Sequence, residues 1–161
     1  MSQVIHRAFK KLKDLPAWNV KPSVGTFLTM EFGQPSLGEM KGPEGRIVYV
    51  RGEWHLWIYC CSWRAFEGKV ELGDDSMPKC YKEVTRRLDG QKLERVRVYK
   101  NGRTDFRFEY GTVLQTRPYD RDSEQWMLYE PGGNVLSFRA DGQWRYGEGK
   151  LKPEERRWKP L

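Results

Sequence analysis

Residues 93–110, LERVRVYKNGRTDFRFEY, constrain the fold of this chain more than any other stretch. Apolar and charged side chains alternate with period two on both sides of an Asn-Gly pair, the pattern of two half-buried strands joined by a tight turn. The register follows from the pattern. A two-residue loop of Asn101 and Gly102 would set Val96 and Val98 opposite Arg107 and Asp105, mixing apolar and charged groups on one face. A three-residue loop of Lys100, Asn101 and Gly102, with Gly102 left-handed in a bulge, sets Val96 against Phe106 and keeps the faces separate. The same arithmetic on FRADGQWRY pairs Phe138 with Trp144 and puts Gly142 in the bulge. On VYVRGEW it pairs Val48 with Trp54 and uses Gly52.

That register has a chemical consequence. Arg95 falls opposite Arg107, with Arg97 beside them across from Asp105. Like charges facing each other on a sheet are unfavourable, so something acidic should cover them. Either an internal carboxylate (Glu94, Glu109 or Glu124) does so, or the row holds a partner's carboxylates or a phosphate. Arg95, Arg97 and Arg107 are therefore the candidate partner- or anion-binding residues.

Two short patterns occur twice. Residues 26–33 and 104–111 both read T-x-apolar-x-apolar-E-aromatic-G, and residues 48–54 resemble 138–144. Their order is kept and their spacing is not, which suggests a pair of similar β units rather than a repeat array. Chance likeness between amphipathic strands is the other explanation. Helical spacing of Val4, Ile5, Ala8, Phe9, Leu12 and Leu15 predicts a helix before Pro16. A second helix is predicted near 77–88, with Ser76 as N-cap, Pro78 in the first turn and Asp89-Gly90 at its end. The expected fold is α+β, mostly antiparallel β, in one domain over 1–161. It divides into a basic helical segment over 1–24, a β unit over 25–73, a helix over 76–88, a second β unit over 91–147 and a basic tail over 148–161.

GEWHLWIYCCSW, residues 52–63, packs three Trp, a Tyr, a His and two Cys into twelve residues. On one continuous strand His55, Trp57, Tyr59, Cys61 and Trp63 face one way, and Trp54, Leu56, Ile58 and Cys60 the other. Adjacent cysteines then point apart and cannot chelate together, and zinc sites usually separate paired Cys ligands by two residues. Both faces are apolar, as in a central strand covered on each side. His55 reads as a hydrogen-bonded core or edge histidine before it reads as a base.

The chain of 161 residues is long enough for a real core despite 32% charged residues. It has no run of eighteen apolar residues, no secretory-type leader, and three unspaced Cys, which suit a reducing cytosol. The net charge is +7, and it is uneven. Residues 1–24 hold +4 and residues 150–161 hold +3, which reads as solubilising ends on a neutral body rather than a phosphate-binding groove. Asp120, Asp122 and Glu124 lack the glycine and frame of a calcium loop. No phosphate-cradling loop, HExxH or GxSxG is present, and no metal or other cofactor is expected.

At GEWHLWIYCCSW and TRPYDRDSEQWMLYEPGGNVLSFRADGQWRYG, and over about residues 24–147, the chain resembles a family of small bacterial proteins of unknown function. The resemblance implies a bacterial, cytoplasmic protein and assigns no chemistry. Immunity proteins for secreted toxins share this size and context, although they are often acidic and this chain is basic. The leading expectation is a non-enzymatic protein-binding domain, immunity-like in role, that holds an acidic protein on a β face. The alternatives are a nucleic-acid binder using Arg95, Arg97, Arg107 and the basic helix, and an enzyme with a carboxylate site between the β units.

Overall fold

Period-two alternation resolves into two layers. The computed structural model describes residues 2–161. Its strands are β1 (Trp18–Pro22), β2 (Leu28–Phe32), β3 (Ser36–Gly42), β4 (Gly45–Arg51), β5 (Trp54–Ile58), β6 (Ser62–Glu67) and β7 (Val70–Asp74), then β8 (Leu93–Val98), β9 (Thr104–Phe108), β10 (Thr112–Arg117), β11 (Glu124–Tyr129), β12 (Asn134–Arg139), β13 (Gln143–Glu148) and β14 (Lys159–Pro160). The helices are α1 (Gln3–Lys10) and α2 (Tyr81–Leu88). One sheet runs β1-β2-β5-β11-β12-β13-β14 and the other β7-β6-β10-β9-β8. The hairpin β3–β4 belongs to neither. All strand pairing is antiparallel, so the fold is α+β and mostly β, with one helix at the N-terminus and one in mid-chain.

The core fills the space between the sheets. Trp126 is fully buried, stacks on Phe138 at 5.4 Å and meets Phe106 edge-on at 5.9 Å. Its indole N–H donates to Thr104 Oγ1 at 3.0 Å, so a polar bond crosses the sandwich where an unpaired N–H would be costly. Helix α1 has only eight residues and would not persist alone. It is held because Ile5, Ala8 and Phe9 are buried, with Phe9 edge-on to both Phe106 and Trp126.

The registers derived for two hairpins hold. Val96 pairs with Phe106, Arg95 with Arg107, and Phe138 with Trp144. Gly102 and Gly142 have φ of +83° and +78°. The third hairpin is different. Trp54 pairs with Phe32 rather than Val48, and β4 pairs with β3 around a turn at Pro43 and Glu44. Gly52 is not left-handed. It is a glycine because a Cβ there would lie 2.6 Å from the Phe32 carbonyl oxygen, where the chain passes tightly against β2.

The aromatic stretch is not one strand. β5 ends at Ile58, residues 59–61 turn, and β6 begins at Ser62 in the other sheet. Cys61 and Trp63 are consequently buried between the layers, while Cys60 is half-buried. Only one face of β5 is covered: Trp54, Leu56 and Ile58 are buried, and His55 and Trp57 are partly open. Three further expectations change. Residues 18–22 of the N-terminal segment form an edge strand rather than helix. Ser76 does not cap α2, since its hydroxyl donates to Asp74 and Cys80 stands at the N-cap. The C-terminal residues are not a free tail, because β14 pairs with β13 and Leu161 packs on the core. Both β-rich stretches supply strands to both sheets, and the copies at 26–33 and 104–111 fall in different sheets. The structure does not confirm a duplication.

Candidate functional site: an arginine face and a histidine cleft

The outer face of the five-stranded sheet collects cations from four strands. In β8–β9, Arg95 faces Arg107 and Arg97 faces Asp105. The ladder continues into β10, where Val113 faces Arg107 and Gln115 faces Asp105, and into β6, where Arg64 faces Gln115. Arg117 lies two residues beyond Gln115 on the same face. Arg64, Arg95, Arg97, Arg107 and Arg117 are all exposed. Among the described residues none of the five has a carboxylate within ion-pair distance. The carboxylates that sequence offered as internal partners are elsewhere engaged or open. Glu124 binds Arg156, Glu109 accepts from the Lys92 N–H, and Glu94 is exposed.

Asp105 is the one carboxylate buried in this face, and it is saturated. It accepts from Gln115, Tyr99 and Arg103 at 3.0–3.1 Å. The Tyr99 ring in turn carries Arg103 at 4.0 Å and Arg97 at 5.2 Å over its face. Two of the N-terminal lysines read as solubilising charge also lie beside this face. Helix α1 docks beside β8, and Lys10 and Lys13 line a groove of about 360 Å³ together with Arg95 and Glu94. The basic patch thus extends from the sheet onto the helix.

The other sheet has a distinct site on its outer face. Glu31 on β2 and His55 on β5 are direct cross-strand partners. Glu31 is 5% exposed, and its Oε1 accepts from His55 Nδ1 at 2.7 Å. Its Oε2 accepts from the Gly52 N–H at 2.9 Å. A carboxylate satisfied on both oxygens fixes a neutral imidazole with its proton on Nδ1 and Nε2 as the unprotonated nitrogen. The ring borders a cleft of about 1020 Å³ lined also by Thr29, Trp57, Tyr129 and, from the hairpin, Met40 and Tyr49. In the next cross-strand row Thr29 Oγ1 and Trp57 Nε1 are buried without hydrogen-bond partners among the described residues.

Comparison with protein-family models, with curated proteins and with solved structures gives no match for this chain.

The residues therefore have to speak for themselves. Sequence reading found Arg95, Arg97 and Arg107, and the structure places them together on one exposed face. It missed Arg64 and Arg117, which arrive through pairing with β6 and β10. It also missed Glu31 as the partner of His55; they are 24 residues apart and no local spacing joins them. The space between the two sheets is filled by core side chains, while the cleft beside His55 is lined from both β-rich stretches, by Glu31 and Glu53 of the first and by Glu130 of the second. The large cleft lies outside the sandwich. Among the described residues no group of three His, Cys, Asp or Glu is placed to hold a metal ion. None of the helices described is long and apolar enough to cross a membrane.

Proposed function

We propose that this protein is a binding module that holds an acidic protein on the outer face of its five-stranded sheet. The observation that carries this reading is the set of five exposed arginines, from β6, β8, β9 and β10, none of them within ion-pair distance of a carboxylate among the described residues, although Arg64 faces Asp74 and Arg97 faces Asp105 across their ladders. Each guanidinium offers a planar fork of donors matched to a carboxylate, and a partner's acidic side chains would relieve the Arg95–Arg107 repulsion. Val113 and the half-buried Phe66 continue the Arg95–Arg107 row beyond Arg107 and add apolar contact beside the charges, before Glu71 ends it. An immunity-like protein of the bacterial cytoplasm would be one setting for such binding.

The other polyanion of suitable charge is a nucleic acid. Single-stranded nucleic acid is usually held by aromatic rings left open for base stacking. On this face the Tyr99 ring is already covered by Arg97 and Arg103, which favours carboxylates over bases.

The test is fluorescence anisotropy with a labelled Glu/Asp-rich peptide and a single-stranded oligonucleotide of equal charge, each titrated with salt. The Arg95→Ala/Arg107→Ala variant should fold as stably as the parent, to within about 0.5 kcal/mol, as exposed unpaired side chains do. It should bind the acidic peptide at least tenfold more weakly. Stronger binding of the oligonucleotide, with affinity falling linearly in log–log against salt, would transfer the face to nucleic acid. Unchanged peptide binding in the variant would remove the face from consideration.

A further inference from the structure

The hairpin β3–β4 is the least protected part of the molecule. All seven residues of β4 are exposed, and Leu37, Met40, Ile47, Val48, Tyr49 and Val50 are each between 37% and 72% accessible. Among the described residues the hairpin pairs with no other strand, so both its edges are free. A two-stranded hairpin without a packing partner is marginal in water. β4 reads GRIVYVR, with no proline, no bulge and no charge in its middle, and so lacks the devices that guard an exposed edge.

We propose that β4 pairs with β4 of a second copy of this chain, forming a four-stranded antiparallel sheet about a two-fold axis at Val48. The register selects both the occupant and the axis. The ladder closes on Gly42 and Gly45 around a two-residue turn, and Met40 faces Ile47, Glu39 faces Val48 and Gly38 faces Tyr49. Antiparallel alternation then turns the backbone N–H and C=O of Arg46, Val48 and Val50 toward the free edge. Any residue of β4 could sit on a two-fold axis, but only Val48, the middle of Gly45–Arg51, pairs the whole strand without running into the turn at Pro43 and Glu44 or into Gly52. An axis at Arg46 would set arginine against arginine. An axis at Val50 would run the pairing into Gly52 and Glu53, which are folded against β2 and its following turn. An axis at Val48 sets Val48 against Val48, Arg46 against the second copy's Val50, and Ile47 against the second copy's Tyr49. No like charges face each other. One face of the new sheet carries Met40, Ile47 and Tyr49 from each copy as a single apolar band, with Tyr49 already lying over Gly38, where a Cβ would stand 2.6 Å from the ring. This edge is separate from the arginine face, and the inference does not depend on that reading.

Sedimentation velocity on the full chain, over a concentration series, measures the association. The 19.1 kDa chain should pass reversibly to twice that mass. Val48→Lys, which sets lysine against lysine on the axis, should raise the dimer dissociation constant more than tenfold. Leu37→Lys, the same change on the outer strand β3, should leave it within about twofold. A Val48→Cys variant should give a covalent dimer with a short bis-maleimide, and Leu37→Cys should not. A monomer at every concentration, as when the edge serves some other partner strand, overturns the proposal. So does a dimer that tolerates Val48→Lys, or equal cross-linking at both positions.

Discussion

Glu31 holds His55 by Nδ1 across the β2–β5 ladder, and the same carboxylate accepts the Gly52 N–H. The neutral imidazole therefore carries its proton on Nδ1, and long-range ¹⁵N–¹H spectra should show that tautomer. Glu31→Ala strips a buried N–H of its acceptor. It should cost about 1–3 kcal/mol in urea unfolding. Glu148→Ala, on an exposed carboxylate at the end of β13, should stay within about 0.5 kcal/mol of the parent. An Nε2–H tautomer, or equal costs for the two variants, would dissolve the dyad as described.

The turns at Gly102 and Gly142 lean on each other. A Cβ on Gly142 would meet the Lys100 carbonyl oxygen at 2.6 Å, and one on Gly102 would collide with the Ala140 carbonyl. Each also has positive φ. Alanine at either position should then cost more than about 2 kcal/mol, the left-handed penalty plus a backbone clash. Gly132 has φ +88° but open space around it, so Gly132→Ala should show the left-handed penalty alone, about 1–2 kcal/mol. Thermal melts of the three variants check the order.

Three thiols differ in reach. Cys61 is fully buried, and burial, with Asp75 and Cys60 nearby, pushes its thiol well above the ordinary range. Cys60 and Cys80 are half-buried. A maleimide reagent on the native protein should label Cys60 and Cys80 and leave Cys61 until urea is added, as read by peptide mass mapping. Native labelling of Cys61 at the rate of the others would mean that the crossing between sheets opens readily.

Acid should loosen the fold in a defined window. Hydrogen bonds from Arg86 and Arg87 hold Glu83 down at about 2. The Ser76 hydroxyl lowers Asp74, and the Ser123 hydroxyl and N–H lower Asp120. A carboxylate whose folded value lies below its unfolded value adds stability that is complete above the unfolded range, near 4, and is lost as pH falls through the folded value. Urea midpoints should be flat from pH 7 to about 5 and decline from about 4 toward 2. Glu83→Gln should lower the neutral-pH midpoint slightly and shallow that decline.

Local pattern carried the hairpins 93–108 and 134–148, because one buried face and one turn glycine fix register within twenty residues. It failed at VYVRGEW, which has the same local pattern, because a competing turn at Pro43 and Glu44 claims β4 for β3. The proline between two glycines was the signal that could have shown it. It failed again at Cys60 and Cys61, where apolar composition is the same whether the chain continues along one sheet or crosses to the other. Of the candidate surfaces, the arginines of β8 and β9 were legible because they share a hairpin. Arg64, Arg117 and the Glu31–His55 pair were not, since pairings between distant strands create them.

The crossing at residues 59–61 also sets a timetable. β5 is flanked by β2 and β11, and β6 by β7 and β10. As the chain is made, β5 and β6 emerge with one edge satisfied and the other bare, and their partners lie beyond Thr112 and Glu124. Neither sheet can close until most of the polypeptide exists, so the halves have no independent folding route. Closure of such distant pairings belongs to the milliseconds-to-seconds regime, and during that interval the aromatic edge HLWIYCCSW is the segment most in need of shelter from neighbouring chains.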